Sequence, residues 1–344
     1  MKTRTHSIKI RRQPLALGVA AFAILSASCN PGRKFYIVEE IRVPAMQVLQ
    51  KVENPASGQH CFDLSGEKVC QQYPLRHASQ SYFRMLALAP ATSQPMSIKF
   101  TKLQRAQLVQ LPNTQDLRNV VTQIQSDPNA TEESCLAKLK ENAPLTVFID
   151  TPLESLGLSE GAARATVKQE SPLRIEEHVV GFVTPERAVL DAQLIATGQL
   201  PLYKIEYTAT SGDLRADKGA LTFAVVSEPQ QGESVFSKCL ARFFLGNASA
   251  STNIAPYITA LTPARDSLVD KSPLQLKLDL AGLETDSNSK QRVQWYISRG
   301  ELENEKAAST ELSFSGSEPL TAVGIVRDLQ GGVDFAWSTF SAKP

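Results

Sequence analysis

Leu274, Leu276, Leu278 and Leu280 occupy every second position of one stretch, with Gln275, Lys277 and Asp279 between them. A period of two fits an extended strand with one apolar and one polar face, because successive side chains leave the pleat on opposite sides. Val293, Trp295 and Ile297 repeat the pattern, with Gln294, Tyr296 and Ser298 opposite, and Val333, Phe335 and Trp337 repeat it again. Half-buried strands punctuated by Gly, Ser, Asp and Pro turns pair their apolar faces across two sheets. Residues 253–344 are therefore expected to form an immunoglobulin-like sandwich. Asp328-Leu-Gln-Gly-Gly332 supplies the glycines for a tight turn between the last two strands. Trp295 is expected to fill the space between the sheets rather than to stand exposed as a sugar-stacking platform.

The remainder of the chain is also strand-rich. Residues 174–183, 186–197, 202–210, 220–226 and 234–245 are candidate strands, so a middle β-sandwich is expected over 151–252. Residues 35–150 read as an N-terminal β domain interrupted at about 113–142 by two helices. Thr114-Gln-Asp-Leu-Arg-Asn-Val-Val-Thr-Gln-Ile-Gln125 and Thr131-Glu-Glu-Ser-Cys-Leu-Ala-Lys-Leu-Lys140 each begin with a capping residue. In the second, acids come early and lysines late, as the helix dipole favours. The expected fold class is mainly β: tandem immunoglobulin-like β-sandwich domains with a short helical insertion in the first. A length of 344 residues and a hydrophobic content of 42% allow two or three such domains and argue against disorder.

The start of the chain carries a different signal. Lys2, Arg4, Lys9, Arg11 and Arg12 precede the apolar run Leu15–Leu25, which ends in Ser26-Ala27-Ser28 before Cys29. A basic head, an apolar run too short to span a bilayer and a small-residue cleavage site make a secretory leader. Leu25-Ser26-Ala27-Ser28-Cys29 resembles the lipobox of bacterial lipoproteins, although Ser26 stands where leucine is commonest in that family. The resemblance implies a signal peptide over 1–28, diacylglycerol and acyl chains on Cys29, and a lipidated tether over 29–34. Plain cleavage near Ser28 without lipid is the alternative. Losing five basic residues takes the formal charge from +1 to −4, so the lipid rather than basic residues would hold the protein on its membrane. A five-residue spacer reaches roughly 17 Å, which places the first domain near the headgroups. Asn30 after the lipid cysteine implies outer-membrane sorting by the same resemblance.

A second resemblance covers about the last 90 residues. Asn253-Ile-Ala-Pro-Tyr-Ile258, Val293-Gln-Trp-Tyr-Ile-Ser-Arg-Gly300 and Val326-Arg-Asp-Leu-Gln-Gly-Gly-Val-Asp-Phe335 follow one another in this order. Together they are similar to the C-terminal immunoglobulin-like module of envelope lipoproteins from predatory and gliding proteobacteria. The motifs imply a fold and a location and name no activity.

Setting Cys29 aside leaves Cys61, Cys70, Cys135 and Cys239, an even number that suggests two disulfides in an exported chain. Of the three connectivities, Cys61–Cys70 with Cys135–Cys239 is favoured, because Ser65-Gly66 reads as a turn between two short arms. Separate buried thiols at Cys135 and Cys239 are the alternative. The short loop would stabilise by about 2.5–3 kcal/mol and the long one by about 4–5 kcal/mol on the chain-entropy model. His60, Cys61, Cys70 and His77 have the chemistry of zinc ligands without the short spacing of a knuckle, and an oxidising compartment favours the disulfide.

Chemistry is otherwise sparse. No nucleophile elbow, HExxH helix, phosphate loop or dinucleotide fingerprint occurs. His178 alternates with Val180 and Phe182 and reads as a core or edge histidine. Glu39-Glu40, Glu132-Glu133 and Glu176-Glu177 are expected to be solvated, since strand neighbours face opposite ways. Arg327 and Asp334 are expected to form a surface ion pair across the glycine turn. Glu284-Thr-Asp286-Ser-Asn288 places oxygens at alternate positions, a weak calcium pattern. Balanced charge without basic–aromatic interleaving excludes nucleic acid as a partner. The expected function is a lipid-anchored cell-envelope protein, non-catalytic and without cofactor or metal, acting as a structural or protein-binding component. Its expected partners are membrane lipid through Cys29 and an envelope protein, the latter at the helical insertion. The rivals are a calcium- or carbohydrate-binding adhesin, and an envelope hydrolase gathering His60, His77 or His178 with carboxylates and a nucleophile.

Overall fold

The computed structural model describes residues 34–342 apart from 56–58, 65, 72–74, 110–115, 143–144, 159–163, 170–171, 187–188, 191–192, 194–196, 227–234, 236–238, 240–254, 270–272, 282–290 and 329–330. The leader, Cys29 and the Glu284–Asn288 loop lie outside these residues.

The chain is mainly β and forms two sandwich units. The first contains β1 (Arg42–Lys51), β2 (Cys61–Leu64), β3 (Glu67–Gln71), β4 (Leu75–Arg76), β5 (Gln80–Pro90), β6 (Ser97–Val109), α1 (Leu117–Ser126) and α2 (Glu132–Asn142). It continues through β7 (Leu145–Thr151), β8 (Arg164–Gln169), β9 (Leu173–Val183), β10 (Gln199–Thr210) and β11 (Asp217–Val226). One sheet has the order β2-β3-β1-β5-β9-β8 and the other β4-β11-β10-β6-β7. Between them lies an aromatic core in which Phe83 stacks on Phe182 at 4.3 Å and Tyr203 on Phe223 at 5.5 Å.

The expected boundary at 150/151 is corrected by these pairings. β9 runs antiparallel to β5 from Gln80↔Val183 to Pro90↔Leu173, and β10 runs antiparallel to β6. Strands from both sides of the expected boundary share each sheet, so 35–150 and 151–252 are one sandwich. Alternation along a strand reports which face is buried and carries no information on which distant strand lies beside it.

The second helix stands where its cap places it and the first where its apolar stripe does; Thr114, the cap expected for the first, lies outside the described residues. Thr131 Oγ1 accepts the Ser134 N–H at 3.1 Å while Ser134 Oγ accepts the Thr131 N–H at 3.0 Å, a reciprocal cap. Val120, Val121, Ile124, Cys135 and Leu139 pack on Ala106 and Leu108 of β6 and on Leu200 and Leu202 of β10. The helices thus form a third layer outside the five-stranded sheet, and the Cys135–Cys239 disulfide is buried in it.

The second unit comprises β12 (Tyr257–Thr262), β13 (Ser267–Val269), β14 (Leu274–Ala281), β15 (Arg292–Ile297), β16 (Glu301–Leu302), β17 (Ser309–Ser313), β18 (Leu320–Arg327) and β19 (Val333–Ala342). Its sheets are β12-β14-β17-β16 and β13-β19-β18-β15, with β13 parallel to β19. In immunoglobulin lettering these are A-B-E-D and A′-G-F-C. Trp295 lies on the C strand, fully buried, and its indole Nε1–H donates to the Ala307 carbonyl at 2.8 Å. The expectation that it fills the inter-sheet core agrees with this placement.

Tyr36 and Val38 hydrogen-bond Ile297 on the edge of β15, and Lys34 pairs with Glu301. Residues 34–38 therefore lie against the edge of the C-terminal unit.

Candidate functional site: a polar seam between the two units

The outer face of the six-stranded sheet is covered by the second unit. Ala45, Leu86, Leu88, Leu173 and Ile175 pack against Tyr296, Val323, Ile325, Val333 and Phe335. Both faces of β5 and β9 are thereby buried, one in the sandwich and one in the joint. This explains why Glu176 and Glu177, expected in solvent, are 1% and 7% exposed. They do point to opposite faces. Glu176 turns inward beside Arg174 and His178, and Glu177 turns outward into the joint.

At the joint, a polar network flanks the apolar contact. Arg84 Nε donates to Glu177 Oε2 at 2.7 Å and its Nη1 to Gln47 Oε1 at 2.8 Å. The same guanidinium lies between two rings, 4.5 Å from the centroid of Phe62 and 4.2 Å from that of Phe335. Gln47 Nε2 donates to the Val333 carbonyl at 2.6 Å and to Asp334 Oδ1 at 3.1 Å. Gln71 holds the same peptide from the other side: its Nε2 donates to the Val333 carbonyl, and its Oε1 accepts the Val333 N–H at 3.2 Å.

Asp334 Oδ2 accepts the Ile258 N–H at 2.8 Å and lies 3.8 Å from His60 Nδ1. The His60 ring stacks on Tyr257 at 4.6 Å and meets Phe62 at 4.5 Å. The expected Arg327–Asp334 surface pair is therefore corrected. In the β18–β19 ladder Arg327 is opposite Val333 and Asp334 opposite Val326, so the two side chains take opposite faces. Arg327 instead donates to the Pro44 carbonyl across the joint.

Burial dominates the electrostatics. It raises the Asp334 carboxyl above the ordinary range, against the stabilising Ile258 N–H and the His60 charge. It lowers the His60 imidazole below 6.5, with the Asp334 charge opposing and that of Arg84 assisting. The folded chain thus takes up the His60 proton at lower pH than the unfolded chain does. Stability from this group is full above about 6.5 and falls as pH drops through that value. Asp334 has the opposite sign, its burial costing stability as pH rises above 3.8. His60→Gln is expected to flatten the decline in Tm between pH 7.5 and 5.5 measured by calorimetry. Equal slopes in variant and wild type would remove His60 as its source.

The cysteines expected to pair do so, as Cys61–Cys70 and Cys135–Cys239. The histidines are not brought together. His60 is in the seam, His178 is buried on the sandwich side of β9 at 3.2 Å from Glu176 Oε2, and His77 lies in the β4–β5 connection. Among the described residues no cluster of His, Cys, Asp and Glu is placed to hold a metal ion. Across the joint, Gln47 and Gln71 of the first unit bond Val333 and Asp334 of the second, while Arg84 bonds Glu177 and Gln47 of its own unit.

The strand order and the buried Trp295 define the C-terminal unit as an immunoglobulin-type β-sandwich. No protein-family model matches the chain, and no curated protein matches it. Among solved structures the chain is similar to the fibronectin(III)-like modules of Clostridium thermocellum CbhA, at 10% identity over 79% of this chain and 89% of that one, with a TM-score of 0.23. It is likewise similar to the tandem Ig repeats of Dlar, at 9% identity over 78% and 92% with a TM-score of 0.23. The N-terminal Ig1-2 module of the Drosophila receptor protein tyrosine phosphatase DLAR gives 10% over 79% and 96%, again at 0.23. At these scores the fold assignment rests on the strand order itself.

Proposed function

We propose that this chain is a lipid-anchored cell-envelope protein, carried on an acylated Cys29 at the outer membrane, whose two joined sandwiches serve as a non-catalytic structural or binding component. One observation carries the reading: every cysteine other than the lipobox residue is in a disulfide, the pattern of a chain that folds in an oxidising compartment. Trp295 is buried in the sandwich core, so it offers no platform to a sugar, and this favours a protein partner over the carbohydrate-binding alternative.

The partner surface we assign is the helical layer with the adjoining β7 edge. Among the described residues β7 pairs on one side only, with β6, and Val147 and Phe148 are exposed. Asn119, Gln123 and Gln125 form an exposed, uncharged polar face on α1. An extended partner segment added to β7 would use backbone hydrogen bonds for affinity and Phe148 for specificity.

The test is the intact mass of membrane-extracted protein with and without reduction. Loss of residues 1–28, a diacylglycerol plus acyl increment on Cys29, and uptake of four hydrogens on reducing two disulfides are expected. An unprocessed chain with free thiols would overturn the assignment. Phe148→Glu is expected to abolish co-purification of an envelope partner, and unchanged recovery would remove β7 as the surface.

A further inference from the structure

We propose that the Cys61–Cys70 disulfide is a redox-sensitive latch that governs how tightly the two units are joined. The β2–β3 hairpin lies at the edge of the six-stranded sheet, and among the described residues β2 pairs with β3 alone. No residue of β2 is fully buried, whereas Val69 and Cys70 of β3 are. β3 pairs with β1 through Leu49↔Gln71, Gln50↔Cys70 and Lys51↔Val69, beside a Val52 N–H bond to the Lys68 carbonyl and a Lys51–Glu67 ion pair. Among the described residues the outer strand β2 is therefore held to the sheet through β3 alone. The disulfide closes it at the Cys61↔Cys70 pair.

The residues that grip the C-terminal unit flank the two cysteines. His60, next to Cys61 on one side, stacks on Tyr257 and faces Asp334. Phe62, next to it on the other, packs on the Arg84 guanidinium, which also lies over the Phe335 ring. Gln71, next to Cys70, holds both the N–H and the carbonyl of Val333. Fixing the hairpin register therefore fixes three separate grips at once. Opening the bridge releases them together while leaving the apolar contact of Leu86, Leu88 and Ile175 with Ile325 and Phe335 in place.

The co-reactant is a dithiol reductant. Its thiolate attacks Sγ of the half-buried Cys61, and the electron pair of the broken S–S bond leaves on Cys70 Sγ, which takes up a proton. The second thiol of the reductant then displaces Cys61 from the mixed disulfide. Two electrons and two protons have passed to the protein, and the reductant has become a disulfide. The other bridge is shielded from the same reagent, since Cys135 and Cys239 are both fully buried under the helical layer. One bridge can therefore respond while the other persists.

Hydrogen exchange of single amides tests this on the full chain. In Cys61→Ala/Cys70→Ala, the Val333 N–H, which donates to Gln71, is expected to exchange about tenfold faster or more, with the Trp295 N–H unchanged. Brief dithiothreitol treatment of the wild type is expected to give the same pattern, and Cys135→Ala/Cys239→Ala is expected to leave Val333 protected. Gln71→Ala provides a second route, releasing Val333 with the bridge intact. Val333 protection unchanged in the Cys61/Cys70 variant would overturn the latch. So would a uniform loss of protection through β1, β5 and β9, which would make the bridge a staple of the whole sandwich.

Discussion

Trp295→Ala is expected to destabilise the C-terminal sandwich by about 3–5 kcal/mol, the range for deleting a large buried aromatic. The indole is fully buried among Leu276, Leu278, Leu312, Leu320 and Phe340. It is placed opposite Gly324 in the β15–β18 ladder, where a Cβ would come within 2.6 Å of Leu278 Cδ2. The sheets approach closely there because one strand has no side chain, so the backbone cannot move much further in to fill a hole. The Nε1–H also secures the β16–β17 connection through the Ala307 carbonyl. Trp295→Phe retains most of the apolar volume but removes that donor, and about 1–3 kcal/mol is expected. Urea unfolding followed by far-UV circular dichroism gives both values. Trp337, the one other tryptophan, packs at the joint and reports its integrity by fluorescence in the same samples. A cost below about 1 kcal/mol for the alanine variant would show that the indole is not what separates the sheets.

The strands of the C-terminal unit were legible because each has one buried and one polar face, as the leucines of β14 display. The helices were legible through Thr131 and the stripe of Val120, Val121 and Ile124. What stayed hidden depends on contacts distant in sequence. The division at 150/151 failed because β5 and β9 are neighbours across a long connection, and neither strand says so locally. The seam failed for a related reason. Arg84, Gln47 and Glu177 are polar, so alternation assigns them to solvent, whereas the second unit covers that face. A trace of this was present. Met85-Leu-Ala-Leu-Ala89 in β5 and Leu320-Thr-Ala-Val-Gly-Ile-Val326 in β18 are nearly continuous apolar runs, the signature of strands buried on both faces. Such runs in two different units mark the surfaces that meet. Which charged residues accompany them could not be read without the register.

Arg84 makes the largest set of named contacts in that seam's polar network, to Glu177, Gln47, Phe62 and Phe335. Arg84→Ala is expected to cost about 3–5 kcal/mol, the range for removing one partner of a buried ion pair. The pair is well shielded, with side-chain exposures of 14% for Arg84 and 9% for Glu177. The truncation removes the cation beside Glu177, the Nη1–H that Gln47 accepts, and the planar group between Phe62 and Phe335. Arg84→Lys keeps the charge but lacks the planar fork and its stacking, so it should recover only part of the loss. Because burying the pair is itself costly, Arg84→Met combined with Glu177→Leu should restore most of the stability or exceed the wild type. A double-mutant cycle on these two positions by denaturant titration measures their coupling directly. If Arg84→Ala alone cost less than about 1 kcal/mol, the seam would be a solvated contact, and the two sandwiches would be joined by the apolar patch of Leu86, Leu88, Ile175, Ile325 and Phe335.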